Sequence, residues 1–197
     1  MKKDPEKIFR ENGGQLRMNE AIESGISRYT LYKLRDKGRI EQISRGVYRL
    51  KCLPPIGNPD LVTVSLRFPN AVICLISALA FHGITTQIPH SVSVAIPRGS
   101  RPPSLDYPPV QPHQFSKNAY TAGIETLQID GVPVKIYTVE KTLADCFKFR
   151  NKIGMDIFLE AFKLYRKRKK MDLTKLIKYG KICKVDRVMM PYLEALA

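Results

Sequence analysis

The chain has no C-x-x-C pair: its four cysteines, Cys52, Cys74, Cys146 and Cys183, lie far apart. Three of them sit inside apolar runs and read as small buried hydrophobes, which fits a reduced, cytosolic setting. Long apolar runs are missing as well. The longest, AVICLISALAF from Ala71 to Phe81, is too short to span a bilayer, and MKKDPEKIF at the start lacks the apolar stretch of a signal peptide. Neither secretion nor membrane insertion is expected. The 3 histidines, His82, His90 and His113, are not at metal-ligand spacing and have no cysteine or acidic partner in a recognisable pattern, so structural or surface roles are expected. There is no G-x-x-x-x-G-K-S/T, no G-x-S-x-G and no H-E-x-x-H. An enzyme, a metal site and a cofactor are therefore not expected. One arrangement leaves a nuclease as the last alternative: Asp130 precedes a strand containing Lys135, but the position two before that lysine is Pro133, which cannot ligate a metal.

Acidic residues are scarce. Against 33 Lys and Arg stand 18 Asp and Glu, a net charge of +15 that attracts polyanions without specifying a fold. The excess is uneven. Residues 1–50 carry 12 basic and 7 acidic side chains, residues 51–140 carry 6 and 5, and residues 141–197 carry 15 and 6, so two basic ends flank a nearly neutral middle. At 197 residues the chain is long enough to bury a real core in one domain or two.

The first fifty residues alternate compactly. A helix over residues 5–12 is followed by an extended piece at 15–18, a helix opening at Asn19, and a third helix in GISRYTLYKLRDKGR. Ser27 is a natural N-cap and Gly38 the residue expected just past a helix end, which predicts a helix over 28–37. On a 3.6-residue wheel Leu31 and Leu34 share one side; Tyr29, Tyr32 and Lys33 share the other, with Arg28 flanking them. Asp36 projects on the same side as Tyr29 and is expected to lie outside any groove that the helix enters. Residues 41–44 and 47–50 then pair across Arg45-Gly46, placing a cation at the loop tip. This is the order of a winged helix-turn-helix, with Gly25 at the turn between the second and third helices. Its basic charge and its wing point to duplex DNA. The candidate contacts are Ser27, Arg28, Tyr29, Thr30, Tyr32, Lys33, Arg45 and Tyr48: cations for guanine edges or phosphates, tyrosines for phosphates or thymine methyls.

CLPPIGNP, residues 52–59, predicts a linker between a domain at 1–51 and a second at 60–197. In the second, Asp60 can cap a helix through Phe68 and Ser77 another ending near Gly83. SVSVAIP at 91–97 alternates like a strand, 98–109 is a proline-rich surface loop, and ETLQIDGVPVKIYT gives a hairpin across Asp130-Gly131. From Val139 the periodicity turns helical. Leu143, Cys146 and Phe147 form an apolar stripe beside a cationic edge at Arg150; Ile157, Phe158, Ala161, Phe162 and Tyr165 repeat the pattern. Asp172 caps a further helix through Cys183, and Pro191 suits the first turn of a last short one. The expected fold class is α+β: a winged helix-turn-helix followed by a mixed α/β domain ending in helices. The second helix runs out into YRKRKK, and Lys148, Arg150, Lys152, Lys163, Arg166, Lys167, Arg168, Lys169 and Lys170 make a candidate second polyanion surface.

RGVYRL at 45–50, SALAFHGI at 77–84, VEKTLADCFKFRNKIGMDIFLEA at 139–161 and PYLEAL at 191–196, in that order, resemble the AbiEi antitoxins of type IV toxin-antitoxin systems, which act in abortive infection and phage resistance. The resemblance covers nearly the whole chain and is more specific in its second half. It implies a cytoplasmic regulator whose N-terminal winged helix represses its own operon at inverted repeats, with self-association on the DNA left open. It also implies a C-terminal domain required for antitoxin activity. The functional partner implied is a nucleotidyltransferase-like toxin, opposed without a stable complex. The alternative is an antitoxin that touches its toxin directly through the basic C-terminal surface.

Overall fold

The computed structural model describes residues 4–54, 56–168 and 171–195. The chain divides into two compact units, residues 1–69 with 127–134, and residues 70–126 with 135–197.

The first unit begins with α1 (Pro5–Glu11), whose N-terminus is capped by the Asp4 carboxylate accepting from the Glu6 amide at 3.1 Å. β1 (Gln15–Arg17), α2 (Met18–Glu23) and α3 (Arg28–Asp36) follow, then β2 (Ile40–Ser44) and β3 (Val47–Leu50). The strands form a three-stranded antiparallel sheet in the order β1-β3-β2. Ile8, Phe9, Leu16, Ala21, Ile26, Leu31, Ile40, Tyr48 and Leu50 are its core. This is the winged helix-turn-helix that the sequence predicts. The unit runs past residues 52–59, expected to be a linker, and takes in α4 (Pro59–Arg67). That helix starts after Asn58 with Pro59 in its first turn, and no side chain caps it. A proline there lacks only an amide that would be orphaned anyway, so the cap expected of Asp60 is not needed.

The second unit is built on a five-stranded mixed sheet, order β6-β5-β4-β8-β7, from β4 (Val72–Ile73), β5 (Val92–Pro97), β6 (Val110–Phe115), β7 (Ile124–Ile129) and β8 (Val132–Tyr137), of which the turn ends of β7 and β8, within residues 127–134, are counted with the first unit. The short helices α5 (Leu75–Phe81) and α6 (Lys117–Thr121) interrupt the strands. Asp130 and Gly131 both take positive φ, 50° and 78°, in the expected hairpin turn. β6 was not apparent from the sequence. It carries Pro112 and lies at the sheet edge, the position where a strand proline costs no ladder bond. It runs parallel to β5, Val92 opposite Val110. Parallel neighbours need a long crossover, and the proline-rich segment 98–109 supplies it.

Five further helices complete the unit: α7 (Val139–Lys148), α8 (Arg150–Ile153), α9 (Met155–Arg166), α10 (Leu173–Cys183) and α11 (Asp186–Ala195). The α9 stripe Ile157, Phe158, Ala161, Phe162 and Tyr165 is buried as predicted, and Asp172 does cap α10, accepting from the Lys175 amide at 2.8 Å. Two expectations are corrected. Ser77 caps nothing: α5 opens after Cys74, and the Ser77 hydroxyl instead donates to the Ser91 carbonyl and accepts from the Ser93 amide, tying α5 to β5. Pro191 does not open a short helix but lies inside α11. The carbonyl one turn earlier, on exposed Arg187, can turn to water in place of the missing bond. Of the cysteines Cys52 is exposed and the other three are buried thiols.

α5, α9 and α10 all pack against α7, and α7 hides charge rather than only apolar groups. Lys141 and Asp145 are both 0% exposed, with the ammonium 2.6 and 2.5 Å from the two carboxylate oxygens. The ammonium also stands 4.1 Å from the centre of the Tyr137 ring and 5.0 Å from that of Phe115, and the Cys183 thiol donates to the same carboxylate at 3.2 Å. Removing one partner leaves a buried charge uncompensated. Lys141→Met should therefore cost the second unit about 3–5 kcal/mol in equilibrium unfolding, and adding Asp145→Leu should return most of the loss.

Candidate nucleic-acid interface

α3 is held from inside and capped at its start. Leu31 is fully buried and Leu34 packs beside the core, while the Ser27 hydroxyl accepts from the Thr30 amide at 3.1 Å and meets the Thr30 hydroxyl at 2.9 Å. The preceding turn needs Gly25, whose φ of 93° is in the region that favours glycine. With one face committed to the core, the outer face carries Arg28, Tyr29, Tyr32 and Lys33, all exposed. Tyr29 is 73% exposed, and the Lys33 ammonium lies 5.8 Å from the centre of its ring. An exposed tyrosine this large, with cations on both sides, makes this face a candidate contact surface.

Beside this face a cleft of about 650 Å³ is lined by Arg17, Met18, Asn19, Tyr32, Arg35, Gln42, Arg45, Gly46, Tyr48 and Arg67. Four arginines from four parts of the chain converge there: the start of α2, the end of α3, the wing tip and the end of α4. Each is held. Arg17 bridges Glu20 at 2.9 Å, Arg67 donates to the Arg45 carbonyl at 2.8 Å and so braces the wing tip, and Gly46 takes a φ of 73° in the turn. The Arg35 guanidinium lies over the Tyr32 ring at 5.1 Å and grips Asp36 through two nitrogens, 2.9 and 3.1 Å away. Asp36 is thus paired with its neighbour rather than left as a bare negative charge on the outer face. An edge of guanidinium groups beside planar tyrosines suits phosphate oxygens and base edges.

The candidate contacts do not all reach the surface. Ser27, Arg28, Tyr29, Tyr32, Lys33 and Arg45 do; Thr30 is half-buried in the cap. Tyr48 is corrected: at 1% exposure it belongs to the core and only floors the cleft, because the inner face of β3 is covered by the helices. Arg17, Arg35 and Arg67 were missed. Their convergence depends on chain segments far apart in sequence, and no local spacing announces it.

The second basic set is carried by several elements. Lys163, Arg166 and Lys167 are exposed at the end of α9, while Lys169 and Lys170 lie outside the described residues. Arg168 donates to the His82 carbonyl, and Arg150 donates to the Phe147 carbonyl at 2.9 Å with its guanidinium 4.6 Å from the Phe147 ring centre. Lys148 and Lys152 are drawn together with Arg98 around a separate cavity. Among the described residues no group of three or more His, Cys, Asp or Glu side chains could hold a metal ion. Asp130, the carboxylate behind the nuclease alternative, accepts from the Gly57 amide at 3.0 Å. No helix among the described residues is long and apolar enough to cross a membrane.

Residues 4–51, α1 through the wing, match the family described as transcriptional regulator, AbiEi antitoxin. The likeness to that family lies in the N-terminal domain. No curated protein matches the chain. Among solved structures, the RV2827C protein from Mycobacterium tuberculosis is similar at 15% identity with a TM-score of 0.53, over 93% of this chain and 76% of that one. At that identity the likeness concerns the fold alone, and it runs beyond the AbiEi-type domain along most of the chain.

The two sides of α3 should respond oppositely to truncation. Leu31→Ala should lower the stability of the AbiEi-type domain by about 2–5 kcal/mol, whereas Tyr29→Ala should change it by no more than about 0.5 kcal/mol. Denaturant melts of the two variants check this.

Proposed function

We propose that this AbiEi-type regulator represses its own operon by placing α3 in the major groove at inverted repeats, with the Arg45 wing on the flanking backbone. We further propose that it counteracts a nucleotidyltransferase-like toxin without a stable complex. The observation that carries the first part is the outer face of α3: Arg28, Tyr29, Tyr32 and Lys33 are exposed side by side, beside a cleft with four arginines. In a helix-turn-helix the second helix of the motif reads base edges near its N-terminus, where Arg28 and Tyr29 stand. Ser27 and Thr30 shape that end of the helix, Arg17, Arg35 and Arg67 suit phosphates, and the net charge of +15 steers the protein to DNA. The antitoxin part rests on the AbiEi match of the N-terminal domain and on the motifs of the second half that resemble the same family.

Arg28→Ala with Lys33→Ala should weaken operator binding by about two orders of magnitude or more. It should also reduce the slope of log affinity against log salt by about 0.9 for each phosphate that the two side chains no longer neutralise, with melting unchanged. Gel shifts over a salt series measure both; an unaltered affinity removes α3 as the reader.

Repression and toxin relief should separate. Expressed beside the toxin from an unrelated promoter, the same double variant should still rescue growth, and purified toxin and antitoxin should elute apart in size-exclusion chromatography at moderate salt. Co-elution would favour direct contact through the basic C-terminal surface instead.

A further inference from the structure

We propose that the second unit carries a nucleotide site: a cavity in which Arg98, Lys148 and Lys152 take a phosphomonoester, and His113, Ser116 and Phe149 receive the rest of a mononucleotide. The proposal does not rest on the reading of α3, since every residue in it belongs to the other unit.

The cavity measures about 440 Å³, more than a phosphate group alone requires and within the usual size of small-ligand sites. Its cations come from three separate places, the residue after β5, the last residue of α7 and the middle of α8. All three are exposed, and among the described residues none has a carboxylate within ion-pair distance. Like charges gathered at one opening without a counterion repel one another, and an anion bound between them relieves the repulsion. The chain has no glycine-rich phosphate loop, so the cradle here is made of side chains.

His113 supplies a second, independent indication. It lines the cavity from β6, is only 8% exposed, and its Nε2 is buried with no hydrogen-bond partner among the described residues. A buried polar atom without a partner is uncommon and costly, and a bound ligand is one way to satisfy it. Burial first, and then the charge of Lys152, hold the imidazole down to about 4, so it is neutral near pH 7 and able to donate from one nitrogen and accept at the other. The Phe149 ring meets the imidazole edge to face at 5.6 Å and 75°, with the Lys152 ammonium 5.9 Å from its centre. Phosphate donors at the rim beside two aromatic rings match a nucleotide better than a bare anion. The free nucleotide and the phosphorylated end of a single strand share this chemistry.

Calorimetric titration of the full-length protein with AMP, adenosine, inorganic phosphate and a 5′-phosphorylated trinucleotide tests the site. AMP should bind at least about tenfold more tightly than adenosine and about fivefold more tightly than inorganic phosphate. Arg98→Gln, Lys148→Gln and Lys152→Gln together should weaken AMP by about 100-fold, whereas the Arg28→Ala and Lys33→Ala pair should leave it unchanged. On adding AMP, the His113 signal should move in the imidazole NMR spectrum while those of His82 and His90 stay. A trinucleotide within about tenfold of AMP assigns the site to strand ends, and a larger gap assigns it to free nucleotides. Equal affinity for AMP and adenosine, equal affinity for AMP and phosphate, an unaffected triple variant, or no binding of AMP up to about 10 mM would each overturn the proposal.

Discussion

A lysine and an aspartate taken wholly out of water set the geometry of the second unit. Desolvating both is expensive, and only close mutual contact with further polar and aromatic partners compensates. Burial pushes the Asp145 carboxyl upward, and the Lys141 charge and its hydrogen bonds oppose that shift. The partners come from three elements: Phe115 of β6 and Tyr137 of β8 face the ammonium, and Cys183 of α10 donates to the carboxylate. Moving any of these would strip a contact from the buried pair. The backbone is drawn in as well. Gly123 has a φ of 71°, and a Cβ there would lie 2.8 Å from that of Lys141, so the chain passes the lysine at a distance only glycine permits.

The consequences reach the surface of that unit. Because α7 is fixed by the pair near its start, Lys148 at its end and Lys152 in the following helix are brought to the side of β6 where His113 lies. The Phe149 ring bridges these parts, packing edge to face on His113 and tilted against Phe115 at 5.3 Å. A cationic cavity therefore stands directly on the rigid centre of the unit, and a ligand there would meet groups already held in place.

The first unit works by a different economy. Its core is small, and rigidity at the reading face comes from short-range devices: the Ser27 cap, the buried Leu31, the Gly25 turn and the brace from Arg67 to the wing. Arg17, Arg35 and Arg67 are each hydrogen-bonded to one neighbour, so their remaining donors stay available to phosphate oxygens. Stiff aromatic and guanidinium planes lose less freedom on binding than long lysines would.

Local chemistry was enough for much of this. Ser27, Gly38 and the leucine spacing set α3 to within a residue of its observed end, Arg45-Gly46 set the wing, Asp130-Gly131 the second hairpin, and the α9 stripe its buried face. All of these depend on neighbours within a turn or two, where capping, φ preference and periodicity act. What depended on distant neighbours was not legible. Ser77 looked like a cap because its partners, Ser91 and Ser93, become adjacent only in the folded sheet. β6 was missed because an edge strand tolerates a proline that a central one would not. Tyr48 looked like a contact until the sheet face it occupies was covered, and nothing in the spacing of Lys141 and Asp145 marks them as the charges of α7 that the fold buries. The sequence by itself determined where the chain turns, caps and alternates, along with its charge. Only the tertiary structure decided which charges are buried and which converge, because burial and convergence are properties of surfaces that residues far apart in the chain build together.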